Sequence, residues 1–202
     1  MIPSHPLLII FIKNPVKGKV KTRLAKEIGD DNALEIYKEL LVHTHSITAN
    51  LPVDKDLYYA QRIDADDLWE TGDYRKYVQQ GDDLGTKMSN AFSQGFDNGK
   101  TPICIIGSDC FELTDKILNE AFEKLKQFDF VIGPAIDGGY YLLGMNEYSP
   151  ALFNNKIYST SDVCQEAMNE IVALDKSYYL LPDLSDIDTI KDLNRYKTIF
   201  KK

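Results

Sequence analysis

The 202-residue sequence predicts an α/β fold, one open, mostly parallel sheet flanked by helices. Two short, continuously apolar runs, Leu7-Leu8-Ile9-Ile10-Phe11-Ile12 and Ile103-Cys104-Ile105-Ile106, have the composition of strands covered on both faces. Between such runs lie segments whose apolar residues recur every three to four positions, and strands alternating with helices of that length join by right-handed crossovers. No linker, repeat or low-complexity stretch interrupts the alternation, so residues 1–202 read as one domain. A chain of this size buries roughly 70% of its unfolded surface.

Taken in order, Leu7–Ile12 is the first strand. After a basic loop, Ala33, Ile36, Tyr37, Leu40, Leu41, Ile47 and Leu51 fall at helical spacing behind Asp30 and Asp31, which suit a helix start. Asp56–Ala60 and Tyr74–Gln79 read as short strands, with a helical or irregular piece over 64–71 between them. Leu84, Met88, Ala91, Phe92 and Phe96 mark an amphipathic helix that closes at Asn98-Gly99, and Ile103–Ile106 is the next buried strand. Thr114 stands at the cap position of a helix carrying Ile117, Leu118, Ala121, Phe122 and Leu125. Phe128–Ile132 and Tyr140–Met145 flank the turn signal Asp137-Gly138-Gly139. A helix over Ser161–Leu174, a strand over Tyr178–Leu181 and a helix from Thr189 complete the order.

Charge narrows the function. The formal net charge of −8 sets an unfavourable field for a polyanion, so nucleic acid is not an expected partner. The first apolar run is six residues long and follows no basic segment, which makes it neither a signal peptide nor a membrane span. Cys104, Cys110 and Cys164 lack C-x-x-C spacing, which speaks against a disulfide framework or zinc knuckle and for the cytoplasm. His43 and His45, two apart on a helix, support no triad or zinc site.

Ligands of open sheets bind outside the carboxyl ends of the strands, and four loops there are unusual. The first holds Lys13, Lys17, Lys19, Lys21 and Arg23, shaped by Pro15 and Gly18, and offers convergent donors for phosphate groups. It is no P-loop, because Pro15 and Val20 stand where that motif needs glycines. A solvated basic turn is the other reading, with Lys17 and Lys19 its best members. The second, Gly107-Ser108-Asp109, ends a strand in a carboxylate suited to Mg2+ or Mn2+ or, alternatively, to capping. In the third, Asp186-Ile187-Asp188-Thr189, either aspartate can ligate metal, while Thr189 and Asp192 have capping-box spacing. The fourth, Gly133-Pro134 to Tyr140, is a turn or a close approach to substrate in which Asp137 accepts from hydroxyls and Tyr140 offers a ring face. Gly81-Asp82-Asp83-Leu84-Gly85 either faces a nucleotide base or caps the helix that follows.

Together, Lys13 to Leu24 with Lys21-Thr22-Arg23-Leu24, the Gly81–Gly85 piece, Gly107-Ser108-Asp109, Gly133-Pro134 with Asp137-Gly138-Gly139-Tyr140, and Asp186–Thr189 resemble a bacterial family of GT-A-type transferases. These are the radical-SAM/selenodomain-associated transferases, related to the nucleotide-diphosphosugar transferases. The resemblance spans nearly the whole chain and implies a GT-A Rossmann-like sheet, a nucleotide site beside the first strand, and a divalent ion on the strand-end Asp109. It departs from the family at Cys110-Phe111, Lys87 and Tyr158-Ser159, where Ser-Pro, Arg and Trp-Ser are usual.

The expectation is therefore a Mg2+- or Mn2+-dependent transferase with a nucleotide-activated donor, most simply a glycosyl transferase using a nucleotide-diphosphosugar and a small-molecule acceptor. Nucleotidylyl transfer from a nucleoside triphosphate to a phosphorylated acceptor is the alternative, and a non-catalytic nucleotide-binding protein is a third. Asp109, Lys21 and Arg23 carry the chemistry in this reading. Lys13, Gly18, Lys21, Thr22, Arg23, Asp83 and Gly85 hold the nucleotide, Asp137, Gly138, Gly139 and Tyr140 the substrate, and Asp109 with Asp186 or Asp188 the metal.

Overall fold

A computed structural model describes residues 5–154, 156–158 and 160–196, which leaves Ser159 of the late motif outside the described residues. Seven strands form one sheet: β1 (Leu7–Ile12), β2 (Asp54–Tyr59), β3 (Arg75–Val78), β4 (Ile103–Ile106), β5 (Phe130–Pro134), β6 (Tyr140–Met145) and β7 (Tyr178–Leu180). Their order is β3-β2-β1-β4-β6-β5-β7. Only β6 runs against the rest, pairing antiparallel with both β4 and β5. The expected open, mostly parallel α/β sheet is therefore what forms.

The continuous apolar strands explain the layering. Side chains alternate across a strand, so Leu8, Ile10 and Ile12 enter one core while Leu7 and Ile9 enter the other. Helices α2 (Asp30–Thr48) and α4 (Asp115–Lys124) cover the first face through Tyr37, Leu41, Leu118 and Phe122. Helices α3 (Leu84–Asp97) and α5 (Val163–Ala173) cover the second through Met88, Phe92, Ala167 and Ile171. Each buried Leu, Ile, Phe or Met side chain among these contributes about 1.5–3 kcal/mol. No helix among the described residues is long and apolar enough to cross a membrane.

One element departs from expectation. Thr22–Ile28, read as the tail of a basic loop, is a helix, α1. Its Arg, Leu, Ala, Lys and Glu residues all favour helix, but Leu24 alone is buried, so no periodic apolar signal marks it. Helix α2 starts at Asp30, with Gly29 rather than an aspartate at the cap position. Leu24 joins Ile36, Leu40, Ile187 and Leu193 in a third cluster, which seats α1 against α2 and against α6 (Ile190–Asn194). That cluster brings the two ends of the chain's functional loops together.

Candidate active site

The carboxyl ends of β1 and β4, the β5–β6 turn, the start of α3 and Asp186 line a cleft of about 530 Å3. Backbone bonds set this arrangement. Leu184 lies beside the end of β5, its N–H donating to Pro134 O (3.1 Å) and its carbonyl accepting from Ile136 N–H (2.9 Å). One turn further on, Ile187 N–H donates to Asp109 O (3.1 Å), and Ser185 N–H donates to Glu112 Oε2 (2.7 Å). The third acidic loop is thus sewn to the second, a pairing that spacing cannot reveal.

On the other side, Tyr37 ties β1 to β4. Its buried hydroxyl accepts from Lys13 N–H (2.7 Å) and donates to Lys13 O (3.0 Å), which leaves Ser108 Oγ, at 3.2 Å, to donate to it. Asn14, also buried, donates to Arg62 O (2.8 Å) and accepts from Gln61 N–H (3.1 Å), so the basic segment leaves the strand along a fixed path.

Four carboxylates, those of Asp109, Asp137, Asp186 and Asp188, interact across this edge. Lys21 supplies the positive charge among them. Its side chain is only 3% exposed, and its Nζ lies 2.8 Å from Asp109 Oδ1 and 3.1 Å from Asp188 Oδ1. The backbone of Lys21 is left-handed (φ 47°, ψ 42°), a conformation uncommon for residues other than glycine, at the N-cap of α1. Burial alone would lower its ammonium pKa, but Asp109 and Asp188 outweigh burial and raise it. The Asp186 carboxyl is pushed up to about 7, first by burial and then by Asp109, with Asp137 and Asp188 adding to the effect and Lys21 opposing it. Asp186 accepts from Ser185 Oγ through its backbone carbonyl (3.4 Å), while its carboxylate accepts no hydrogen bond and makes no ion pair among the described residues.

Of the residues singled out in the sequence, Lys13, Asp83, Asp109, Asp137, Gly139, Tyr140 and Asp186 line the cleft. Lys21 does not; it is spent on the two aspartates rather than held open to a ligand. Arg23 is mostly exposed, with Nη1 3.7 Å from Asp188 Oδ2. Thr22 opens α1, and Gly18 sits in a turn at φ 73°, facing the Asp30 carboxylate. Lys17 pairs with Asp31 at 2.7 Å. Asp83 caps α3, its Oδ1 accepting from Thr86 N–H (2.8 Å). Gly85 makes room for the Tyr158 ring, since a Cβ there would lie 2.4 Å from Tyr158 Cε2. Gly138 (φ 91°) does the same for the chain itself, because a Cβ would meet Ser161 O at 2.0 Å. Asp137 Oδ1 accepts from Gly139 N–H (3.0 Å), which closes the β5–β6 turn.

Tyr37, Phe11, Gln79 and Tyr158 also line the cleft and carried no functional signal. Tyr37 stood in the sequence as one of the helix's core positions, and only its polar tip, which a fully apolar site would not need, distinguished it. Lys13 and Lys87 are the cleft's lysines, and neither makes an ion pair among the described residues. No group of three His, Cys, Asp or Glu side chains is already gathered for metal binding among the described residues.

The family model described as "Uncharacterized protein conserved in bacteria (DUF2064)" matches residues 43–160. A crystal structure from Desulfovibrio desulfuricans G20, provisionally titled a nucleotide-diphospho-sugar transferase, is 33% identical with a TM-score of 0.88, covering 97% of this chain and 88% of its own. A cytidylyltransferase from Leptospira borgpetersenii (13% identity, TM-score 0.61, 98% of this chain and 87% of that one) shares the fold. So does the 4-diphosphocytidyl-2C-methyl-D-erythritol synthase of Anaerococcus prevotii (10% identity, TM-score 0.59, 98% and 97%). No curated protein sequence matches the chain.

Proposed function

The chain belongs to the DUF2064 family, and from that membership and its cleft we propose that it is a metal-dependent transferase acting on a nucleotide-activated donor, by glycosyl transfer from a nucleotide-diphosphosugar. The observation that carries this reading is the cleft at the strands' carboxyl edge, where Asp109, Asp137 and Asp186 stand opposite Lys13 and Lys87. The provisional title of the Desulfovibrio relative supports the donor class.

The donor set fits Mg2+ or Mn2+. Such ions take hard oxygens and are commonly held by one or two carboxylates together with substrate phosphates, so a preformed cage of three is not required. Asp186, half-buried, short of hydrogen bonds and raised to about 7, is a carboxylate that gains by meeting a cation. Asp109, with Asp186 or Asp188, would hold the ion, whose chemistry is to neutralise the leaving diphosphate. Without a cation, a diphosphate entering this cleft would meet more carboxylates than lysines. Lys13, fixed at the end of β1 through its backbone bonds to Tyr37, adds a standing positive charge. Asp137, braced by Gly139 N–H, presents its remaining oxygen to hydroxyl groups, and Tyr140 forms the adjoining wall.

A second reading, nucleotidylyl transfer with release of pyrophosphate, is favoured by the cytidylyltransferases among the proteins of the same fold. Against it, the loop after β1 has no glycine-rich cradle, and its most buried lysine faces aspartates. Melting the protein with nucleotide sugars and nucleoside triphosphates, with and without Mn2+, ranks the donors. A ligand at a hundred times its dissociation constant adds about 2.7 kcal/mol. Free nucleoside diphosphate as product is expected, and pyrophosphate would establish the second reading. Asp109→Ala is expected to abolish metal-dependent nucleotide binding; unchanged binding would sink both.

A further inference from the structure

We infer that the acidic cluster is divided between two cations: Lys21 permanently holds Asp188 and one oxygen of Asp109, while a divalent ion takes Asp109 and Asp186, so Asp188 is not a metal ligand. The inference rests on the metal-dependent reading above and settles which of the two late aspartates serves it.

Lys21 is built in, not adjustable. Its side chain is 3% exposed, and its Nζ is within 2.8 Å of Asp109 Oδ1 and 3.1 Å of Asp188 Oδ1. Its backbone is fixed at the N-cap of α1, which Leu24 anchors beside α2. Withdrawing this ammonium would leave Asp109 and Asp188, each partly exposed, facing one another unpaired.

Asp188 already has cationic partners on both oxygens. Its Oδ1 takes Lys21, and its Oδ2 lies 3.7 Å from Arg23 Nη1. Its backbone N–H is held by Asp192 Oδ2 (3.2 Å) as part of the capping box that starts α6, and it does not line the cleft. Asp186 is the opposite in each respect: it lines the cleft beside Asp109 and Asp137, and its carboxylate accepts no hydrogen bond or ion pair among the described residues. A cation entering from solvent therefore meets Asp186 and the free oxygen of Asp109, while the site between Asp109 and Asp188 is already filled. Lys21 also works against the ion, because a positive charge beside a ligating carboxylate weakens its hold on a second cation.

The test is Mn2+ binding to the nucleotide-free protein, followed by the electron paramagnetic resonance signal of unbound Mn2+. Asp186→Asn is expected to weaken binding at least tenfold, Asp188→Asn by less than about threefold, and Lys21→Met to tighten it about tenfold or more. Lys21→Arg, which keeps the charge, is expected to leave affinity within about threefold of wild type. Should circular dichroism show Lys21→Met unfolded, the contrast between the two aspartate variants decides the division. Equal losses from the two aspartate variants, or binding by Lys21→Met no tighter than wild type, would overturn the division. Wild-type protein that binds no Mn2+, either alone or with a nucleoside diphosphate present, overturns the metal reading along with it. Mn2+ binding with the expected pattern but no nucleotide-sugar turnover would count against the donor reading alone and uphold the division.

Discussion

Replacing Asp186 with asparagine should stabilise the metal-free protein, and more so as pH rises. The carboxyl is half-buried and stands among Asp109, Asp137 and Asp188, and its pKa is pushed up to about 7 from an ordinary value of about 3.9. A carboxyl whose pKa is higher folded than unfolded binds its proton more tightly in the native state. Its contribution is therefore complete below about pH 3.9 and is lost progressively as pH climbs to about 7. Each pH unit in that window removes about 1–2 kcal/mol, so between pH 5 and pH 8 the wild type should lose roughly 2–3 kcal/mol that the amide does not lose. For a domain of this length that corresponds to about 5–10 °C in melting temperature. The assay is a pair of melting curves, wild type and Asp186→Asn, in chelator at pH 5 and pH 8. The gap between them should widen by that amount at pH 8. An equal gap at both pH values, or a variant that is the less stable at pH 8, would refute the account of Asp186 as an ionised carboxylate held in an acidic pocket.

Three further substitutions probe the frame around the cleft. Gly138→Ala places a Cβ 2.0 Å from Ser161 O at φ 91°, and should cost at least about 2 kcal/mol in urea denaturation; wild-type stability would show that the turn can relax. Gly85→Ala, which in an unobstructed helix gains about 0.5–1 kcal/mol, should instead destabilise, because its Cβ meets Tyr158 Cε2 at 2.4 Å. Melting of Gly85→Ala combined with Tyr158→Ala should show that gain recovered relative to Tyr158→Ala alone. Tyr37→Phe leaves Lys13 N–H, Lys13 O and Ser108 Oγ without their shared partner and should cost about 1–3 kcal/mol, measured as a shift in the denaturation midpoint at unchanged slope.

The strands were legible because their chemistry is local. Leu7–Ile12 and Ile103–Ile106 are apolar at every position, and both faces of each are buried. The α3 and α4 caps, Asp83 and Thr114, were legible for the same reason: a cap bonds to residues two or three positions away. What lay hidden depends on contacts between distant segments. Lys21 reads as one more cation in a basic run, and nothing near it in the chain announces Asp109 or Asp188. Gly85 and Gly138 stood in the sequence as ligand contacts, whereas each leaves space for another part of the protein, Tyr158 in one case and the Ser161 backbone in the other. Helix α1 escaped notice because a helix with one buried residue has no face to display.

The bond from Ile187 N–H to Asp109 O has a consequence in the order of synthesis. Every strand of the sheet, through Leu180, is synthesised before the three residues Asp186, Ile187 and Asp188 are made. Until they arrive, Lys21 has only one of its two aspartates and the cleft lacks a wall. The strands and the cleft are thus completed at different points in synthesis. A mutation that spoils folding can fall almost anywhere along the chain, while the part of the cleft wall that Asp186 supplies depends on one short late loop.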